Sequence, residues 1–267
     1  MPYSASTVTP MNVTILGCSG SLGAPGNPGS SYVVSTAGSP DVVMDFGPGA
    51  LAAMQERGFD PSNAHVAFSH LHADHCSDAA SLLVWRRYHP NSPAAGKNRM
   101  FGPSYTPEHL GAMGSDGPGQ PTDITDTFEV GVWVDEEPVR FDGVTITPFP
   151  VDHPAQESKA LRVRDNATGA VVVYSGDSGY GASLSKAAQG ADLFLCEAAW
   201  GPTSEGQPAG MHLSGEEAGR IAREAGVKKL VLVHIQPWSD KQATLEAARA
   251  QFDGEVVVGE AGDVFAV

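Results

Sequence analysis

Residues 70–75 read His-Leu-His-Ala-Asp-His, so His70, His72, Asp74 and His75 fall within six positions. Neutral imidazole and carboxylate are good ligands for zinc, manganese and iron(II). Along an extended turn side chains alternate with a period of two, so His70 and His72 point to the same side. Asp74 and His75 follow where a helix begins and face another direction. One short segment can thus feed two neighbouring metal sites. The bland alternative is a His-rich surface turn, but four ligand types at this spacing seldom coincide by accident.

Further candidates stand at the ends of β-like runs. His153 follows "VTITPFPVD", Asp177 follows "AVVVYSG" and His234 closes "KLVLVH". Asp45 lies near the end of "DVVMDF", and Glu197 follows "ADLFLC". Residues at the same end of adjacent strands meet along one sheet edge, where ligand sites gather in α/β folds. Core packing alone does not ask for polar residues there.

The elements that must position these residues are legible as alternating patterns. Short runs rich in β-branched residues cover 12–17, 31–36, 41–46 and 65–69, then 144–151, 160–165, 170–175, 191–196, 229–234 and 255–260. Helical patterns cover 49–58, 78–89, 183–189, 215–226 and 241–252, and Pro90 stops the second of them. Ser214 and Glu217 form a capping-box signature. Residues 91–125, rich in Gly, Pro, Ser and Asp, are expected to form a long irregular insert with one short helix near "PEHLGAM". No solenoid-length repeat and no interdomain linker is visible. One α/β domain over 1–267, with sheets covered by helices, is the expectation.

Composition narrows the partners. Hydrophobic residues make up 41% of 267, enough for a sizeable core. The formal charge is −15, and the Lys and Arg residues are scattered apart from Arg86–Arg87, so a nucleic-acid partner is not expected. Three widely spaced cysteines, Cys18, Cys76 and Cys196, form no disulfide framework, which points to the reduced cytoplasm. The start "MPYSASTVTPMNVTIL" shows no signal peptide, and no apolar run approaches membrane-spanning length.

His70-x-His72-x-Asp74-His75, then His153, Asp177 within "SGDS", and His234 together resemble the metallo-β-lactamase superfamily over nearly the whole chain. That resemblance implies a four-layer αββα sandwich with a binuclear site between the sheets. His70, His72 and His153 would bind one metal. Asp74, His75 and His234 would bind the other, with Asp74 counted also among the catalytic residues. Asp177 would bridge. The cofactors implied are two divalent metal ions, zinc first, with manganese or iron(II) as alternatives. Two such ions about 3.5–4 Å apart can hold a hydroxide and clamp a phosphoryl group.

Glu197 in "CEAAW", His212 in "MHLSGEEAG" and Asp45 in "DFGPGA" resemble the ribonuclease Z branch. There an orienting Glu holds a His that protonates the leaving oxygen, and Asp45 would orient a ligand histidine from behind. A departing alkoxide needs such an acid. The sequence departs from ribonuclease Z in three ways. Cys196 stands where a His is usual, and Leu213–Ser214 stand where Ser-Thr is usual. The stretch between Asp177 and His212 is too short for a tRNA-gripping arm. "LGCSGS", "HLHADHC", "VWRRYHP", "FLCEA" and "HLSGEEAG" are closer to the actinobacterial cyclic-nucleotide phosphodiesterases. The activity implied is hydrolysis of 3′,5′-cyclic AMP, with cyclic GMP as a further substrate, to the 5′-nucleotide. Family habit adds a homodimer. A tRNA 3′-processing endonuclease and a lactonase or β-lactamase remain the alternatives.

Other residues carry less. Cys76 is expected to be a buried small hydrophobe. Arg86 and Arg87 are expected to serve a helix C-terminus through its dipole, with phosphate contact as the alternative. "GCSGSLGAPGNPGSS" is read as a mobile loop rimming the site. His65, His89 and His109 lack partners at ligand spacing. Trp85, Tyr88, Trp200 or the 91–125 segment could support a nucleobase, and Trp238 could pack near His234.

Overall fold

Along the central strands, successive side chains feed two different cores. Val13 and Ile15 face one core while Leu16 faces another, and Val42 and Met44 are split in the same way from Val43. Val172 and Tyr174 face the first core while Val173 faces a third. A strand with apolar residues on both faces must be covered on both. The four-layer arrangement follows from that.

The computed structural model describes residues 10–267; residues 1–9, the start of the stretch read for a signal peptide, lie outside the described residues. The first sheet holds β1 (Asn12–Gly17), β2 (Ser31–Ser35), β3 (Asp41–Met44), β4 (Ala64–Ala67), β5 (Asn98–Gly102), β6 (Phe128–Val132) and the C-terminal β14 (Val264–Ala266), in the order β14-β1-β2-β3-β4-β5-β6. The second holds β7 (Val139–Phe141), β8 (Val144–Pro150), β9 (Lys159–Asp165), β10 (Val171–Tyr174), β11 (Leu193–Glu197), β12 (Lys229–Val233) and β13 (Glu255–Val258), in the order β13-β12-β11-β10-β9-β8-β7. The inter-sheet core joins Val13, Ile15 and Met44 to Val163, Val172 and Val231. The outer face of the first sheet is covered by α1 (Ala50–Glu56), α3 (Ala79–Tyr88) and α4 (Thr106–Met113). The outer face of the second is covered by α5 (Ala182–Ala188), α6 (Gly215–Glu224) and α7 (Lys241–Arg249). One short helix, α2 (Ala73–Cys76), lies between β4 and α3. This is the αββα sandwich, and no helix among the described residues is long and apolar enough to cross a membrane.

Parallel pairing sets where the site falls. β3, β4, β5 and β6 run parallel, and so do β10, β11, β12 and β13. Their C-terminal ends deliver Asp45, the 69–75 segment, Asp177, Glu197 and His234. The capping box at Ser214 is formed: its hydroxyl accepts from the Glu217 amide while the Glu217 carboxylate accepts from the Ser214 amide. Such a cap is worth about 1 kcal/mol, and it fixes the entry to α6 two residues after His212.

The expectation of an irregular segment over 91–125 needs correction. β5 lies inside it, hydrogen-bonded in parallel to both β4 and β6, whereas α4 falls where the one short helix is expected, at "PEHLGAM". "NRMFG" contains no β-branched residue, so its strand state comes from pairing with distant neighbours rather than from local propensity. Arg86 also differs from expectation. It is buried, donates to the carbonyls of Pro61, Ser62, Gly96 and Thr127 and to Asn98, and lies over the Phe128 ring. It therefore ties α3 to the loops around β5 and β6 and is not available to phosphate. Arg87 pairs with Asp126.

Candidate metal centre

After β4 the chain stays extended through His72, which sits at the N-cap of α2 with φ −65° and ψ 152°. Asp74 and His75 lie on that helix, and His75 is buried. The remaining side chains arrive from the second sheet: His153 after β8, Asp177 after β10, His212 ahead of α6 and His234 after β12.

Two of the donor groups share Asp177. Ligand atoms of His70, His72, His153 and Asp177 lie within 4.8 Å of one another, and so do those of Asp74, His75, Asp177 and His234. Asp177 belongs to both and divides its oxygens between them. Its Oδ1 lies 3.1 Å from His75 Nε2 and 3.4 Å from His234 Nε2. Its Oδ2 lies 3.9 Å from His70 Nε2 and 3.7 Å from His153 Nε2. All seven expected ligands are thus brought together.

The donor set fits divalent cations. His153 Nε2 and His72 Nδ1 face each other at 3.1 Å, and His75 Nε2 and His234 Nε2 at 3.3 Å. Nitrogens held about 2.0–2.1 Å from a tetrahedral zinc ion lie about 3.3 Å apart. His70 Nε2 and Asp177 Oδ1 are buried with no hydrogen-bond partner, a costly state that a bound cation relieves. Before any cation binds, burial first of all holds His70, His72 and His153 below the ordinary imidazole range. Burial also disfavours ionised Asp177, but the surrounding histidines, His234 first, outweigh it and hold the carboxyl well below its usual range. Neutral His70, His72 and His153 beside an ionised carboxylate suit a metal in the first group. Burial opposes a charged His75, but Asp177 and Asp45 outweigh it and lift that imidazole well above its ordinary range, so a cation in the second group must displace its proton.

Behind the donors stand groups that orient them. Asp45 Oδ2 accepts from His75 Nδ1 at 2.7 Å. That separation is a hydrogen bond, shorter than two ligands of one ion would be, so Asp45 orients His75 and does not join it on a metal. Asp45 and His234 adopt left-handed backbone, with φ 58° and 53°, a cost that functional sites retain. Glu197, fully buried, accepts from His212 Nδ1 at 2.9 Å and from the amides of Ser178 and Ala199. Burial works against a charged His212, but the Glu197 carboxylate overrides it and lifts the imidazole to about 9. His212 Nδ1 lies 3.8 Å from Asp177 Oδ2, so this acid stands at the edge of both donor groups.

The neighbourhood bears out some of the other expectations and corrects others. The glycine-rich loop rims the site, with the Ser21 amide 3.3 Å from His234 Nε2, but its base is anchored. Ser19 bridges to Ile235, and a Cβ on Gly20 would run into the His234 carbonyl. Trp200 meets the His212 ring edge-on at 5.0 Å, whereas Trp85 stacks on His89 and donates to Ser62. Tyr88 and Trp238 are exposed. His65 is held by Asp142 and the Arg99 amide, and Cys76 is buried. Ser69 and Tyr174, which also bond Asp45, were not legible as site residues. The available signal was a tyrosine ending the buried run "VVVY", because a buried phenol must find a partner.

Imidazoles and carboxylates converging between the sheets of an αββα sandwich define a metallo-hydrolase. The chain belongs to the metallo-β-lactamase superfamily: the sequence model described as the beta-lactamase superfamily domain matches residues 41–235. An uncharacterised Mycobacterium tuberculosis protein, Rv1339, is 47% identical over 94% of this chain and 90% of its own length. The probable metallo-hydrolase YhfI of Bacillus subtilis is 28% identical over 96% of this chain and 99% of its own. Its crystal structure superposes with a TM-score of 0.82 at 26% identity, covering 97% of this chain and 100% of that one. Ribonuclease Z of Haloferax volcanii is 26% identical over 94% of this chain and 93% of its own length.

Proposed function

We propose that this metallo-hydrolase is a phosphodiesterase that opens 3′,5′-cyclic nucleotides, cyclic AMP first, to 5′-nucleotides. The observation that carries the reading is the Glu197–His212 pair at 2.9 Å, set beside the two donor groups. A ribose 3′-alkoxide is a poor leaving group and requires a proton, which a His212 imidazolium held by Glu197 can supply.

His70, His72 and His153 would hold one divalent cation, Asp74, His75 and His234 a second, and Asp177 both. Cations bound there would supply Lewis acidity to the phosphoryl oxygens and generate a nucleophile from water near neutral pH. His212 binds Glu197 through Nδ1–H, which leaves Nε2–H to protonate the departing 3′-oxygen. Glu197 keeps that imidazole charged and fixes its plane. Asp45 keeps the His75 ring turned toward the second group.

A small substrate agrees with the rest of the chain. α5 and β11 occupy the stretch between Asp177 and His212, which leaves no length for an RNA-gripping arm there. The −15 charge opposes a polyanion. The test is one panel on metal-defined protein: 3′,5′-cyclic AMP, 2′,3′-cyclic AMP, a tRNA precursor, a lactone and a β-lactam. Turnover of 3′,5′-cyclic AMP supports the proposal. Precursor cleavage at the 3′ end without cyclic-nucleotide turnover would replace it with the ribonuclease Z reading. The active form proposed is a homodimer; a solution mass of one 27.8 kDa chain would overturn that part.

A further inference from the structure

Beneath the imidazoles a single carboxylate collects four donors. Asp45 Oδ1 accepts from the Ser69 amide at 2.7 Å. Asp45 Oδ2 accepts from the Ser69 hydroxyl at 2.7 Å, His75 Nδ1 at 2.7 Å and the Tyr174 hydroxyl at 2.8 Å. We propose that Ser69 and Tyr174 are positioning residues that, together with Asp45, fix the orientation and proton placement of one ligand histidine in each of the two cation positions, Ser69 by touching His70 and Tyr174 by holding the Asp45 that touches His75. The inference rests on the metal-centre reading and is independent of the substrate.

The proton order follows from the donors and acceptors available. An ionised carboxylate only accepts, so Ser69 must spend its one hydroxyl proton on Asp45. The Ser69 oxygen then has lone pairs left for His70 Nδ1, 3.0 Å away. That places the His70 proton on Nδ1 and frees Nε2, the buried atom without a partner, for a cation. His75 is treated in the same way but directly. Its Nδ1–H goes to Asp45, and its Nε2 faces Asp74, Asp177 and His234 at 3.3, 3.1 and 3.3 Å. One carboxylate thus sets the tautomer of His70 for the first group and of His75 for the second.

Tyr174 supplies the lock. It ends β10 in the second sheet, while Asp45 follows β3 in the first, so the phenol bridges the sheets beneath the site. Its ring is fully buried against Tyr32 at 4.7 Å and cannot swing its hydroxyl to water. Three donors on one oxygen restrain a carboxylate whose backbone φ of 58° is already unusual.

The test uses the full chain with Ser69→Ala, Ser69→Thr and Tyr174→Phe. Bound zinc per chain is titrated against a chromogenic chelator. The downfield imidazole N–H signals of the metal-free protein are recorded alongside. Removing a group that orients a metal ligand typically lowers affinity about 10–100-fold. Ser69→Ala should release zinc that much more readily and lose the His70 N–H signal, and Ser69→Thr should restore both. Tyr174→Phe should loosen zinc to a similar degree and shift the His75 N–H signal, with the melting temperature little changed. Unchanged retention and signals in Ser69→Ala and Tyr174→Phe, or a lowered melting temperature with unchanged retention, would overturn the proposal. A wild-type chain that retains no divalent cation would instead overturn the metal-centre reading beneath it.

Discussion

Replacing Glu197 by Gln should convert a broad pH plateau into an acid-shifted one. The carboxylate holds His212 at about 9, against an ordinary 6.5, and a neutral amide removes that support while keeping an oxygen for the Nδ1–H. The sign is that of a raised imidazole: the proton donor is complete below the lower value and disappears as pH rises through the higher one. At roughly pH 8 the protonated fraction is about 0.9 in the native pair and about 0.03 or less in the variant, where burial acts without the Glu197 charge to oppose it, a loss of about 30-fold or more. The gap narrows as pH falls below about 6.5, so acid should rescue the variant. Bound cations add positive charge and slide both limbs downward together, which preserves the gap. The assay is kcat/KM against pH for cyclic AMP and for a diester with a nitrophenolate leaving group, which needs no proton. Zinc content is measured in parallel, because the amide also meets the Ala199 N–H. A uniform loss at all pH values, or an equal loss on the nitrophenyl diester, would refute the proton-donor assignment.

Three further outcomes follow from the same geometry. His212→Ala should keep its metal and lose about 10²–10⁴-fold in cyclic AMP turnover, read by elemental analysis and steady-state kinetics; full activity would show that the acid lies elsewhere. Asp177→Ala should lose cations from both groups, because its two oxygens divide between them; retention of two ions per chain would contradict bridging. Arg86→Met should cost about 3 kcal/mol or more in urea unfolding, since several buried acceptors lose their donor. Its kcat per folded molecule should stay near wild type.

The site was more legible in the sequence than parts of the fold. His70 to His75 are joined by short covalent spacing, so their common destination follows from local geometry. His153, Asp177 and His234 were readable because apolar strands ended in polar residues. β5 was not readable, because "NRMFG" has neither β-branched residues nor apolar flanks and becomes a strand only through β4 and β6. The same limit hid Arg86, whose acceptors come from loops distant in sequence. Ser69 and Tyr174 escaped for a related reason: their role depends on Asp45, which reaches one of them across the gap between the sheets.

The central claim is tested most directly by following cyclic AMP with the metal-loaded chain by phosphorus NMR in oxygen-18 water. 5′-AMP should be the sole product, with one heavy oxygen on phosphorus, because the 3′-oxygen departs protonated by His212. Formation of 3′-AMP, or no turnover by protein shown to hold its cations, would contradict it.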